Sequence, residues 1–117
     1  MSQNNSEQLV LCKKYSVVYF ESPEYLKVGI SKIFEKNKLP INGLRHPPEK
    51  DTAGWYIWSG EEFSEDPDFF LPIHTKHLKI ICPQIIKYLG LPPGYRFLMG
   101  ENNYEDVWED LNLLDIK

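Results

Sequence analysis

Four short runs of aromatic and branched residues set the pattern of the chain. Tyr15 to Phe20 holds three aromatics and two valines behind the solvated Lys13 and Lys14, which predicts a strand over 15 to 20. Gly54-Trp55-Tyr56-Ile57-Trp58-Ser59-Gly60 is apolar on both parities and bounded by glycines, so it reads as a central strand covered on both faces. Tyr95 to Met99 and Tyr104 to Trp108 flank the polar cluster Gly100-Glu101-Asn102-Asn103, the makeup of a hairpin with strands over about 95 to 100 and 104 to 109.

Helical signals fall between these runs. Ser22-Pro23-Glu24 supplies an N-cap, a proline at the first helical position and an acid in the first turn. Leu26, Ile30, Ile33 and Phe34 then follow at helical spacing, which predicts a helix over 23 to 36 capped by Asn37. A second helical pattern runs from His74 to Leu89, broken at Cys82-Pro83 because a residue before proline avoids the helical region. Gly90 closes it, and Leu91-Pro92-Pro93-Gly94 is a rigid turn. The stretch 39 to 53, with Pro40, Asn42-Gly43, Pro47-Pro48 and Glu49-Lys50-Asp51, reads as a long connection holding Arg45 and His46 in solvent. The expected fold is α+β: a single small domain over 9 to 117 behind a frayed 1 to 8. Its mostly antiparallel sheet of about four strands is covered by one longer helix and a pair of short helices.

Composition narrows the function more than the fold. At 117 residues the chain buries one core of its own, and no apolar run is long enough to cross a bilayer. The two cysteines, Cys12 and Cys82, are far apart and unpatterned, which fits a reduced compartment and a cytoplasmic location. Seventeen acids against thirteen lysines and arginines, net charge -4, argue against nucleic acid as a partner. The charge is also uneven. Residues 1 to 53 carry eight basic and six acidic side chains (+2), and residues 54 to 117 carry five and eleven (-6).

Patterns that carry catalysis are incomplete. His74 and His77 lie three apart with Cys82 nearby, whereas zinc helices place histidines four apart around a glutamate and need further ligands; a plain surface or core pair accounts for them. The acids between Glu61 and Asp68 lack the alternate ligands and turn glycine of a calcium loop. Ser59 lacks the glycine pattern of a nucleophile elbow, and no phosphate-binding glycine loop is present. No catalytic residue, cofactor or metal is therefore expected. Arg96 reads as a cross-strand partner for Glu105 or Asp106.

The succession GWYIWSGEE, DPDFFLPIHTKHL, CPQIIKYLGLPPGYRFLMG and YEDVW resembles the bacterial immunity-protein family numbered thirty-three, over residues 54 to 110. Leu89 to Phe97 and Tyr104 to Trp108 are the most specific pieces of the likeness. The resemblance implies a protein of a polymorphic toxin system that binds and blocks a cognate toxin without catalysis. The alternatives are a small regulatory binding domain and, last, a metal-dependent hydrolase. A nuclease toxin needs a basic cleft for phosphates, so the acidic excess points to Glu61, Glu62, Asp66 and Asp68 with Glu105, Asp106 and Glu109 as the partner-binding set, the loop being anchored by Phe63, Phe69 and Phe70.

Overall fold

A computed structural model describes residues 6 to 60 and 68 to 114. Six strands form one sheet: β1 (Lys27–Ser31), β2 (Ile41–Arg45), β3 (Thr52–Ser59), β4 (Phe70–His74), β5 (Tyr95–Met99) and β6 (Glu105–Glu109). Their order is β4-β1-β3-β2-β5-β6, with β1 and β3 parallel and every other pair antiparallel. The domain is α+β as expected, but it holds six strands in a mixed sheet rather than four, and its helices are short. The central strand and the hairpin stand where the aromatic runs placed them. The hairpin reverses through Asn102 and Asn103, both at positive φ (57° and 64°), a conformation asparagine tolerates better than most residues.

The expected helix over 23 to 36 is absent; its middle is β1. Val28 and Ile30 point into the core at strand spacing, and the ring of Tyr56 lies against the Gly29 backbone, where an added Cβ would meet it at 2.7 Å. Ser22, the expected cap, spends its hydroxyl elsewhere. It donates to the Leu89 carbonyl (2.6 Å) and accepts from the Trp55 indole (3.0 Å). Residues 39 to 53 were expected to be irregular, yet they contain β2, which lies inside the sheet between β3 and β5. Asn42-Gly43 is part of that strand and makes no turn: the Asn42 amide donates to the Gly60 carbonyl (2.9 Å), and the Phe97 ring covers Gly43 so closely that no side chain fits there.

Tyr15 and Ser16 form a turn, with Ser16 at φ 58°, and Val17 to Phe20 run on without joining any strand. Tyr15, Val17 and Tyr19 face the core while Val18 and Phe20 face out, so the segment straps the core without joining the sheet. Before it, Ser6–Lys14 forms helix α1, which takes in residues 6 to 8 of the end expected to be frayed, while 1 to 5 lie outside the described residues. The Gln8 amide donates to the Ile86 carbonyl (2.9 Å) and the Cys12 thiol to the Gly90 carbonyl (3.3 Å), which fixes α1 to the segment after β4. That segment is helical and breaks at Cys82, as the sequence predicts: a 3₁₀ turn over Thr75–His77, helix α2 (Leu78–Ile81) and a 3₁₀ helix over Pro83–Tyr88.

These pieces cover one face of the sheet. Leu11, Leu78, Ile85, Leu89 and Leu91 pack there on Ile30, Ile41, Trp55, Ile57 and Phe97, and the Tyr88 ring stacks on Phe97 at 4.4 Å and 10°. The opposite face carries a smaller cluster of Leu44, Trp58 and Leu113 with Tyr56, Phe69 and Phe70. The 3₁₀ turn Leu111–Leu114 lies over it, held where His46 Nδ1 meets the Leu113 carbonyl at 2.9 Å.

Candidate partner interface

Arg45, Ser59 and Cys82 are buried inside the fold. Arg45 is fully buried, contrary to the expectation of a solvated loop residue. Among the described residues it forms an ion pair with no carboxylate. Its guanidinium donates to the carbonyls of Ala53 (2.9 Å), Phe20 (2.8 Å), Leu91 (2.8 Å) and Glu21 (2.9 Å), and lies over the Phe20 and Trp55 rings at 4.9 and 5.6 Å. Burial pulls it down to about 10, still charged at neutral pH. The arginine thus collects backbone groups from three segments that no ladder satisfies.

Ser59 is buried and accepts the Glu35 amide (2.9 Å). His74 and His77 are exposed with ring centroids 5.9 Å apart, while Cys82 is buried with its thiol raised chiefly by desolvation. Among the described residues no three His, Cys, Asp or Glu side chains converge to hold a metal ion. A shallow cleft of about 220 Å³ opens between His46, Glu49, Thr52 and Tyr56. Two of its polar groups are engaged within the fold, His46 with the Leu113 carbonyl (2.9 Å) and the Thr52 hydroxyl with the Glu49 carbonyl (2.9 Å).

Glu105 is the centre of a second, partly buried network. One carboxylate oxygen accepts from Lys14 Nζ and the Tyr15 hydroxyl, both at 2.7 Å, and the other accepts from the Tyr88 hydroxyl at 2.8 Å, with Lys87 Nζ at 3.9 Å. Burial opposes its charge, but these donors outweigh it and hold the carboxyl at about 2. Tyr88 is pushed up, first by burial and then by the carboxylate. The network ties α1 and the 83 to 88 helix to β6. Because the folded pKa lies below the ordinary 4.5, its stabilisation is complete above that pH and is lost as pH falls from about 4.5 towards 2. Glu105→Gln should therefore cost about 1 to 3 kcal/mol at neutral pH and flatten stability against pH across that window. Urea titrations at pH 7, 4 and 3 check both, and an unchanged acid slope in the variant contradicts the assignment.

Arg96 pairs with Asp110 at 3.2 Å rather than with Glu105 or Asp106. It also covers the indole of Trp108, the residue opposite it in the ladder, at 5.5 Å. Of the expected partner-binding acids, Glu61, Glu62 and Asp66, with Phe63, lie outside the described residues. Asp68 is exposed just before β4, and the hairpin acids are on β6. Those strands are opposite edges of the sheet, five strand spacings or roughly 24 Å apart. Glu105 faces the network, whereas Asp106 and Glu109 are exposed and pair with no cation among the described residues. Around them Tyr104 is 56%, Trp108 37% and Leu111 63% exposed. The hairpin edge thus gathers unneutralised acid and large exposed apolar side chains. Sequence reasoning found the acids but not the aromatics, although the hairpin register, once drawn, pairs Arg96 with Trp108 and leaves both at the surface.

A small domain whose outward aromatic and acidic groups collect along one edge, while Arg45 and Ser59 are engaged inside the fold, has the makeup of a protein-binding module. The chain belongs to the Imm33-like domain family, whose sequence model matches residues 7–110. The match takes in α1 and all six strands, a longer span than the 54 to 110 of the resemblance. No curated protein and no solved structure matches the chain.

Proposed function

We propose that this protein is a cytoplasmic immunity protein that binds a cognate bacterial toxin and blocks it by occlusion, with no catalysis of its own. Membership of the Imm33-like family is the observation that carries this reading. The β6 hairpin supports it with a surface suited to a basic target such as a nuclease cleft. Asp106 and Glu109 attract the cleft over long range, while Tyr104 and Trp108 supply contact area of the kind that dominates binding energy. A cleft filled in this way is closed to phosphate substrate.

The experiment is co-expression with the toxin domain encoded beside this gene, followed by binding kinetics on the purified pair. An equimolar complex that abolishes toxicity is the expected result. Asp106→Lys combined with Glu109→Lys should leave the melting temperature nearly unchanged, slow association about tenfold at low salt and remove most of its salt dependence. A folded double variant with an unaltered association rate overturns the surface, and absence of any complex overturns the function.

A further inference from the structure

We infer that the outer edge of β6 is a docking strand, which takes up an extended, lysine- or arginine-bearing segment of the toxin as a seventh strand of the sheet. This rests on the toxin-binding reading above and specifies how the partner is held.

The ladder shows which backbone groups are free. Gly100 N donates to the Tyr104 carbonyl (2.8 Å) and Asp110 N to the Gly94 carbonyl (2.6 Å), on either side of the register that pairs Tyr95 with Glu109. Even-numbered residues of β6 therefore bond inward to β5. Glu105, Val107 and Glu109 direct their N–H and C=O groups away from the sheet. Among the described residues no strand lies beyond them.

The other edge is built differently. Lys32 N to the Phe69 carbonyl (2.9 Å) and Thr75 N to the Leu26 carbonyl (2.8 Å) make the odd residues of β4 the inward ones, so Phe70, Pro72 and His74 point out. Pro72 sits in the middle of that outward row with no N–H to offer and a ring in the path of an added strand. One edge is closed to strand addition and the other is open.

Charge selects the occupant of the open edge. Antiparallel pairing of two copies sets acid against acid in every register centred within β6. About Val107, Glu105 of one copy opposes Glu109 of the other; about Asp106 that residue opposes itself; about Trp108, Asp106 opposes Asp110. Like charges directly opposite destabilise a ladder, which disfavours a second copy. A strand with cations beside Asp106 and Glu109 and an apolar residue beside Trp108 meets attraction at the same positions. Main-chain bonds would then hold the segment, and its alternating side chains would set specificity.

The test is amide hydrogen exchange by NMR on the protein alone and bound to the toxin domain encoded beside its gene. In the free protein Glu105, Val107 and Glu109 should exchange fast and Asp106 and Trp108 slowly. Binding should slow the three odd amides at least about tenfold. Two variants separate backbone from charge: Glu109→Pro removes an outward donor that no ladder bond uses, and Glu109→Ala removes only the carboxylate. Glu109→Pro should bind about tenfold more weakly than Glu109→Ala. A complex in which the odd amides exchange as in the free protein overturns the docking strand and leaves the immunity function standing, as does equal affinity of the two variants when both are folded. A toxin domain that forms no complex overturns the function and this inference together.

Discussion

Replacing Arg45 by methionine is expected to leave the chain unable to hold its fold at 37 °C. The aliphatic stem is matched, so packing is nearly kept, but the carbonyls of Ala53 and Leu91 lose their donor in a buried site, and those of Phe20 and Glu21 lose theirs at its half-buried rim. Each buried polar group left without a partner costs about 1 to 3 kcal/mol, so the two fully buried carbonyls alone cost about 2 to 6 kcal/mol. Domains of this size are stable by only about 5 to 15 kcal/mol. Arg45→Lys is expected to rescue little, because one ammonium cannot span the carbonyls that Nε and two terminal nitrogens reach together. Urea unfolding followed by circular dichroism measures the effect. A methionine variant that loses less than about 1 kcal/mol would show that these carbonyls find other partners.

Trp55→Ala is expected to cost roughly 3 to 5 kcal/mol and to lower the melting temperature by roughly 10 to 25 °C. The ring is fully buried, packs on Phe97 with centroids 5.5 Å apart, and donates its indole N–H to Ser22 (3.0 Å). Removing it opens a cavity in the middle of the sheet and strands the serine that anchors the chain before β1. Trp108→Ala is the control, and its half-open ring should change stability by less than about 1 kcal/mol while weakening toxin binding. Arg45 and Trp55 are also ladder partners, and both reach the Leu89 carbonyl, at 3.4 and 3.3 Å. Their losses should not add: the double variant should fall short of the sum by about 0.5 kcal/mol or more. Strict additivity would mean that the two side chains support separate parts of the fold.

The acid-labile network at Glu105 bears on function as well as stability. It fixes the end of β6 from which the outward backbone row begins, so loosening it below pH 4.5 should fray that edge before the sheet centre opens. Lys14 and Tyr15 reach Glu105 from about ninety residues away in sequence, and no local spacing announces such a contact. The sequence therefore showed Glu105 as one more surface acid beside Asp106, and only the packed chain separates the two.

Where a segment's neighbours lie close in sequence, the reading from residues was sound. The hairpin of β5 and β6 closes through a turn whose asparagines accept positive φ, the break at Cys82-Pro83 is a property of proline itself, and the doubly apolar run at Trp55 to Trp58 could only be an inner strand. The errors fall where distant partners override local preference. Ser22-Pro23-Glu24 is a strong helix start, but the Ser22 hydroxyl is claimed by Leu89 and Trp55, and Gly29 gives Tyr56 the room that makes residues 27 to 31 a strand. Asn42-Gly43 has turn chemistry, yet Phe97 needs a residue without a side chain beneath its ring. Tyr15 to Phe20 has the alternation of a strand and stays outside the sheet, because Tyr15, Val17 and Tyr19 pack on the core and its backbone bonds run to the end of α1 and to Gly90.

By itself, then, the sequence determined the α+β class, the central strand, the closing hairpin, the acidic bias of the second half and the family. Those follow from periodicity, turn residues and composition, which act over a few positions or over none. The tertiary structure alone decided that Arg45 is a buried organiser, that Glu105 is consumed by the fold while Asp106 and Glu109 remain outside, and that β6 rather than β4 is the open edge. Each of those depends on which distant backbone and side-chain groups meet, and burial makes such meetings strong enough to outweigh the fraction of a kilocalorie per residue that local propensity contributes.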